Sequence, residues 1–446
     1  MTLVALSDLF AIGREPRHVV AMKGDQTCEF SRFVTDVSAT AARAVARQYR
    51  RAALVCQGSY AFTVGLFALL QNGCEIVLPP NGQGGTLDSL RGNFDGLVDD
   101  AFVQSAAPAA VLAQGERKRL DATRPSLAFF TSGSTGAPKR IVKNLAMLES
   151  EIAALDSLWG QSSGRGTAFA TVSHQHVYGL TFKVLWPLAT GRPFADETDD
   201  LWETVLARLT PDATLVSGPA HLSRIGGLAP LPAENRPTRV FSAGAPLSFE
   251  AAEKTAGILG CLPTEIFGST ETGAIATRQQ THVDEAWRPL PGMTTRQTAN
   301  GCLASRAPWI GEDWFETADV IDSTPGGFRF MGRADRIVKI EGKRISLPEI
   351  EQTLTRLSWV TAAAVTLLPG APARLAAVVV LNDAGRERLA ALGNFRFGRQ
   401  LRSALSDTQE SAGMPRLWRF VDELPASDGM SKRREGDIRA LFGAAP

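Results

Sequence analysis

Residues 131–139 read TSGSTGAPK and follow the apolar, aromatic run SLAFF at 126–130. Hydroxyls, glycines and one lysine placed directly after a buried strand have the makings of an anion cradle. A backbone that turns through glycines can aim several amide N–H groups at one anion. Gly133 and Gly136 permit positive φ and close approach, Ser132, Ser134 and Thr135 add hydroxyl donors, and Lys139 adds a mobile point charge for phosphate oxygens. The Walker pattern GxxxxGK[ST] is not met, because the spacing differs and Arg140 follows the lysine. Taken alone, the stretch is either a phosphate loop of another kind or a Ser/Gly-rich surface turn.

The elements that must hold such a loop are legible on both sides of it. RAALVC (51–56) reads as a strand, SYAFTVGLFALLQNG (59–73) as a helix ending at Gly73, and CEIVLPP (74–80) as the next strand. This is a βαβ unit, which implies a parallel sheet covered by helices. NGQGGT (81–86) is glycine-rich but misses GxGxxG and reads as a surface turn. Further strands are expected at TAFATVS (167–173), ATLVSG (213–218) and TRVFSAG (238–244), each ending in small or hydroxyl residues. Ligands bind at the carboxyl ends of parallel strands, so these ends are candidate site walls. From 277 to 330 the texture becomes short and turn-rich, which predicts a smaller β-rich region. GRADRIVKIEGKRI (332–345) reads as a linker passing into a basic hairpin. LPEIEQTLTRL (347–357) has helical spacing, and AAAVTLL (362–368) and LAAVVVL (375–381) read as strands, together predicting a compact α+β module.

Composition narrows the class. The 446 residues exceed what one core usually holds, so at least two folding units are expected. With 44% hydrophobic and 21% charged residues the chain reads as an ordinary globular protein. A net charge of +1 offers no basic excess for nucleic acid. The start, MTLVALSDLF, is broken by Asp8 and lacks a basic leader, and AFTVGLFALL (61–70) is too short to span a bilayer and suits a core helix. Cys28, Cys56, Cys74, Cys261 and Cys302 form no CxxC and read as reduced thiols, so a cytoplasmic setting is expected. His174 and His176 are neighbours without a third ligand close by, which does not make a zinc site.

In order along the chain, TSGSTGAPK, SAGAPL (242–247), FGSTETG (267–273), WFETADV (314–320) and GRADRIVKIEGKRI together resemble the adenylate-forming superfamily. Its members include acyl- and aryl-CoA synthetases, nonribosomal-peptide adenylation domains and beetle luciferases. The resemblance runs from Thr131 to Lys432 and implies an α/β fold. A large N-terminal domain, 1–331, would hold parallel sheets and a β-rich subdomain, and a small mobile α+β domain, 332–446, would turn about a hinge at Asp335. It implies ATP and magnesium as cofactors, with CoA or phosphopantetheine as the acceptor. Thr131, Ser132, Gly133, Ser134, Thr135 and Lys139 would hold the β- and γ-phosphates. Gly244, Ala245 and Pro246 would line the adenine on one side and Phe267 would stack on the other, with Gly268 and Ser269 beside it. Glu271 resembles the magnesium-binding glutamate, and Thr270 would bond the α-phosphate. A single carboxylate plus phosphates and waters is how magnesium is usually held. Asp319 would take the ribose hydroxyls and Arg333 the same sugar, although Ala318 stands where the family has glycine. Lys339 and Gly342 match the segment that faces the site during thioester formation, with Gly342 leaving room for a pantetheine arm. The lysine expected to bridge acid and α-phosphate is Lys432, one residue later than usual, with Arg433 and Arg434 as rivals.

The resemblance also sorts the acyl side. In SHQHVYGLTFKVLWPLATG (173–191), His176 matches the histidine that walls the acyl pocket, joined there by Ala243, Gly268 and Gly273. His174 reads as a local hydrogen-bonding residue, and Tyr178 and Trp186 either line a cavity or pack in the core. The wording QHVYGL looks most like ligases of aryl-polyene and xanthomonadin-type pigment clusters, which load a hydroxybenzoate- or cinnamate-like acid onto an acyl carrier protein. Two other readings stand beside it: an aryl- or fatty-acyl-CoA synthetase using free CoA, and a catalytically silent protein that binds an acyl-adenylate or nucleotide. Lys343, Arg344, Arg433 and Arg434 would suit an acidic carrier protein or the CoA nucleotide equally.

Overall fold

The structure, a computed structural model, describes residues 2–106, 118–131, 139–340, 343–368, 374–405, 414–425 and 435–443, with a few side chains among them excepted. By contacts the chain divides into two units. One is Met1–Thr295 with Ser305–Phe315, and the other is Arg296–Ala304 with Glu316–Pro446.

The first unit is built on two sheets. In the smaller one, Gly96–Val98, Arg51–Leu54, Glu75–Leu78 and Leu127–Thr131 run parallel, and Lys139–Lys143 closes the edge antiparallel. The expected βαβ unit is its centre. The helix Ser59–Gln71 is apolar all round and buried from Ala61 to Leu69, as a helix enclosed by other elements must be. It stops at Asn72, and Gly73 takes the left-handed φ of 64° that ends such helices. Phe30–Ala46 is amphipathic instead, burying Phe30, Phe33, Val34, Val37, Ala41 and Ala44 at helical spacing.

The larger sheet has nine strands. Thr264–Ser269, Arg239–Ala243, Thr214–Ser217, Ala168–Ala170, Phe194–Ala195 and Val19–Lys23 are parallel neighbours. Gly273–Arg278 and Arg288–Pro289 extend one edge antiparallel, and Gln26–Glu29 the other. Alternate residues of the parallel strands feed an apolar cluster of Phe169, Leu215, Val240, Leu222, Ala251 and Leu259. The three expected strands are present, but the first is only Ala168–Ala170, and residues 171–173 already belong to the turn beyond. The glycine-rich 81–86 is not simply a turn, because a short exposed helix, Gly84–Ser89, starts within it. The β-rich region is a sheet ordered Thr294–Gln297, Cys302–Ala307, Gly311–Thr324, Gly327–Arg333.

In the second unit the linker forms a single turn, Ala334–Arg336, and then the hairpin Ile337–Ile340 with Lys343–Ser346. Helix Leu347–Thr355 packs Ile350 and Leu354 on a sheet of Val360–Leu368, Arg374–Leu381 and Leu417–Val421, as the apolar spacing predicts. A long helical stretch, Asp383–Leu405, is kinked at Gly393 (φ 71°, ψ 160°), and its second half buries Phe397, Leu401 and Leu405 in the same core. Arg336 donates from both Nη atoms to Glu351 at 2.7 and 3.1 Å, which fixes the end of the linker turn to that helix. No helix among the described residues is long and apolar enough to cross a membrane.

Candidate functional site

Strand pairing sets Thr131 opposite Lys139, so the two ends of the opening motif are adjacent. Ser132, Gly133, Ser134 and Thr135 lie outside the described residues, as does the Thr131 side chain. Lys139 is described, and its Nζ donates to Glu271 Oε1 at 2.9 Å across 132 residues of sequence. Two motifs quoted separately therefore meet in space. Burial pushes the Glu271 carboxyl up. The hydrogen bond and charge of Lys139, with donors from its own backbone and Ser269, outweigh that and hold it below the usual carboxylate range. Glu271 is thus ionised and its side chain is 22% exposed. Among the described residues no group of three or more His, Cys, Asp and Glu side chains could cage a metal. That donor set fits magnesium delivered by a polyphosphate, for which one carboxylate suffices.

Glu271 and Thr270 form the tip of the turn between Thr264–Ser269 and Gly273–Arg278, and the turn is braced from inside. Ser269 N–H donates to Thr272 Oγ1 at 3.1 Å, and the Thr272 hydroxyl in turn donates to Gly273 O at 2.9 Å. Trp309 Nε1 donates to Ala274 O at 3.0 Å. Gly268 and Gly273 are pressed together, since a Cβ on Gly268 would stand 2.1 Å from Gly273 O, and Gly273 has φ 63°. No larger residue fits either place.

Two buried charges complete the brace, and sequence reading passed over both. Lys143 is 3% exposed, and its Nζ donates to Glu271 O at 3.2 Å. Lys139 and Lys143 share one face of their strand, so one holds the Glu271 carboxylate and the other its carbonyl. Glu151, also 3% exposed, accepts from Ala274 N–H at 2.8 Å. Burial pushes the Lys143 ammonium down and the Glu151 carboxyl up, each against the pull of the other's charge. A signal was present. Helix Leu145–Trp159 buries Leu148, Ile152, Leu155 and Trp159, and Glu151 sits within that apolar stripe.

The walls assigned to adenine follow from two strand ends. Strand Arg239–Ala243 leads into Gly244, whose φ of 97° turns the chain so that Gly244 and Pro246 are exposed and Ala245 half-buried. Ala243 itself is 9% exposed. Phe267 is half-buried and meets Trp287 edge to face, with ring centroids 5.2 Å apart.

On the side assigned to the acid, His174 behaves as expected. Its Nδ1 meets Ser59 Oγ at 2.9 Å and its Nε2 meets Cys56 O at 3.0 Å, so both nitrogens are engaged. Burial, and then the charge of Lys183, push its pKa down to about 3 despite the Cys56 carbonyl. His176 is half-buried at the start of the helical turn Val177–Gly179, and Gly179 is required there because a Cβ would meet Ser173 O at 2.1 Å. Tyr178 and Trp186 resolve as core. They pack with Phe182 and Phe241, and the Trp186 indole N–H donates to Asp156 Oδ1 at 3.0 Å.

In the second unit, Asp319 and Arg333 face each other in the strand register and form an ion pair at 3.4 Å. Asp319 N–H also donates to Thr317 Oγ1 at 3.1 Å. Lys339 lies on the strand Ile337–Ile340 and Asp335 in the turn before it, with neither side chain described. Gly342, Lys432, Arg433 and Arg434 lie outside the described residues, as do the side chains of Lys343 and Arg344.

Residues 86–300 match the family described as AMP-binding enzyme. Phenyloxazoline synthase MbtB of Mycobacterium tuberculosis is 36% identical over 135 residues, which is 30% of this chain and 9% of that protein. The chain thus spans about a tenth of the length of that relative. A 4-coumarate–CoA ligase of Cereibacter sphaeroides is 26% identical over 300 residues, 67% of each chain. Among solved structures, the O-succinylbenzoate CoA synthetase of Bacillus subtilis in complex with AMP superposes with TM-score 0.80 at 16% identity, over 97% of each chain. ATP-bound MatB of Rhodopseudomonas palustris does so with TM-score 0.80 at 19% identity, over 98% of this chain and 99% of its own.

Proposed function

We propose that this chain, which has the fold of the adenylate-forming enzymes and matches the AMP-binding enzyme family over residues 86–300, uses ATP to activate a carboxylic acid for transfer to a thiol. The observation that carries the proposal is the 2.9 Å contact between Lys139 and Glu271, which joins the end of the hydroxyl–glycine loop to the carboxylate of FGSTETG. A thiol cannot displace oxide from a carboxylate, so the acid first attacks the α-phosphate of ATP and pyrophosphate leaves. The thiol then captures the acyl-adenylate and AMP leaves.

Bringing a carboxylate up to a triphosphate requires cations in fixed places. Lys139 faces the phosphates with Ser132, Ser134 and Thr135, and Thr270 donates to the α-phosphate. Glu271 holds magnesium, whose charge offsets that of the polyphosphate. Phe267 and residues 242–247 sandwich the adenine, while Asp319 and Arg333 take the ribose. Lys432 bridges the acid and the α-phosphate. The module after residue 331 turns at Asp335 and brings Lys339 and Gly342 to the thiol step. His176 walls the acyl pocket with Ala243, Gly268 and Gly273.

The acid in this reading is aromatic, such as a hydroxybenzoate, and the acceptor is the phosphopantetheine of an acyl carrier protein. The 4-coumarate–CoA ligase among the relatives supports an aromatic acid, and the resemblance of QHVYGL to the pigment-cluster ligases supports a tethered thiol. The test is pyrophosphate release with benzoates, cinnamates and fatty acids, each run with free CoA and with holo carrier protein. Release with benzoates, and thioester on the carrier alone, is the expected outcome. Thioester on CoA alone makes the chain a CoA ligase, and no release with any acid leaves a silent nucleotide-binding protein.

A further inference from the structure

We propose that Glu265 is a positioning residue for the nucleobase, one buried carboxylate that sets both walls of the adenine slot. The inference rests on the adenylation reading above and names what fixes its nucleotide site.

Glu265 lies on the strand Thr264–Ser269, just ahead of Phe267, and is 2% exposed. Its Oε1 accepts from Arg278 Nε at 2.9 Å and from Gln280 Nε2 at 2.7 Å. Its Oε2 accepts from Arg278 Nη2 and from Leu247 N–H, both at 3.2 Å. A carboxylate has about four lone-pair sites, and here each is used, so Glu265 has nothing left to offer a ligand. Its work is to hold other groups.

The network runs in two directions. Toward one wall, Gln280 Nε2 also donates to Leu247 O at 2.9 Å. The Leu247 backbone, which closes the 242–247 wall, is therefore held at both its N–H and its C=O. Toward the other wall, Arg278 pairs with Glu265 across the antiparallel register and lays its guanidinium 4.4 Å from the Trp287 ring centroid. Trp287, 5% exposed, meets the edge of Phe267 at 5.2 Å. Leu247, Glu265, Arg278, Trp287 and Phe267 form one unbroken chain of contacts, so the separation of the two walls is set through it.

A buried ion pair is a poor way to gain stability, since an apolar pair of the same volume serves as well. What it supplies here is direction, because each donor must meet a given oxygen.

The test measures AMP binding calorimetrically, without metal or acid, for the full chain and the variants Gln280→Leu, Trp287→Leu and Trp287→Phe. These leave the Glu265–Arg278 pair in place, and a thermal melt reports on folding. We expect Kd for AMP to rise about tenfold in Gln280→Leu and Trp287→Leu. Trp287→Phe, which keeps a ring against Phe267, stays within about twofold of the parent. The loss appears in KM for ATP rather than kcat, and pyrophosphate affinity is unchanged. AMP bound as tightly by both leucine variants as by the parent, or equal losses for AMP and pyrophosphate, overturns the inference while leaving adenylation intact. A parent chain that binds no AMP sinks the adenylation reading and this inference with it.

Discussion

Glu265 and Glu271 belong to one strand and the turn that follows it, yet they are built for opposite ends. Glu265 is buried, and its oxygens are filled by Arg278, Gln280 and the Leu247 N–H. Glu271 is partly exposed, ionised, and paired with the exposed Lys139. The same division recurs in Lys143, buried on a carbonyl, against Lys139, whose side chain is 55% exposed. It recurs again in His174, engaged at both nitrogens, against half-buried His176. In each pair the more buried member holds backbone, and the other is the one that the proposal sets against a ligand. Residue type alone does not separate the two members of a pair; burial and the identity of the hydrogen-bond partners do.

The comparison breaks most visibly at its buried end. Glu265→Ala leaves the Arg278 guanidinium buried without its anion, at a cost of about 3–5 kcal/mol of stability read from denaturant unfolding. The exposed counterpart behaves the other way. Glu271→Gln lowers acid-dependent pyrophosphate release about 100-fold, some 2.7 kcal/mol in the barrier, while the melting temperature stays near that of the parent. If both substitutions cost stability alike, the division of labour is wrong.

Lys143→Met tests the brace. It strips the Glu271 carbonyl of a charged donor and leaves Glu151 without a cation, costing about 2 kcal/mol of stability. Lys139→Met costs under about 0.5 kcal/mol, because an exposed ion pair is weak, and its effect falls on pyrophosphate release instead.

His174 gives a pH signature. Its folded pKa, about 3, lies below the 6.5 of the unfolded chain, so between those values the unfolded state binds the extra proton. Its contribution therefore makes stability fall as pH drops below about 6.5, by at most about 1.4 kcal/mol per unit, and leaves it flat above. His174→Asn should flatten that limb in unfolding curves taken at pH 5.5 and 6.5. An unchanged slope would show that another group titrates there.

Much of this was open to sequence reading, for identifiable reasons. The parallel strands announce themselves as short apolar runs bounded by small residues, and the helix Ser59–Gln71 by its continuous hydrophobicity. Phe267, Glu271, Asp319 and Arg333 could be proposed from the sequence because the resemblance attaches to side-chain identity. Lys143, Glu151 and Glu265 escaped it. Each acts on a backbone N–H or C=O supplied by a distant segment, and such a partner leaves no mark on the residue's neighbours in sequence. Tyr178 and Trp186 could not be assigned to cavity or core until Phe182 and Phe241 were seen against them.

The central claim is that an acid and ATP become a mixed anhydride beside Glu271. Mass spectrometry of the quenched reaction, with magnesium, ATP and a benzoate but no thiol, tests it most directly. The account predicts an ion at the mass of the aryl-adenylate, present with the parent chain and depleted about 100-fold with Glu271→Gln. Thioester formed on later addition of a thiol, with no such species at any time before it, would contradict the account.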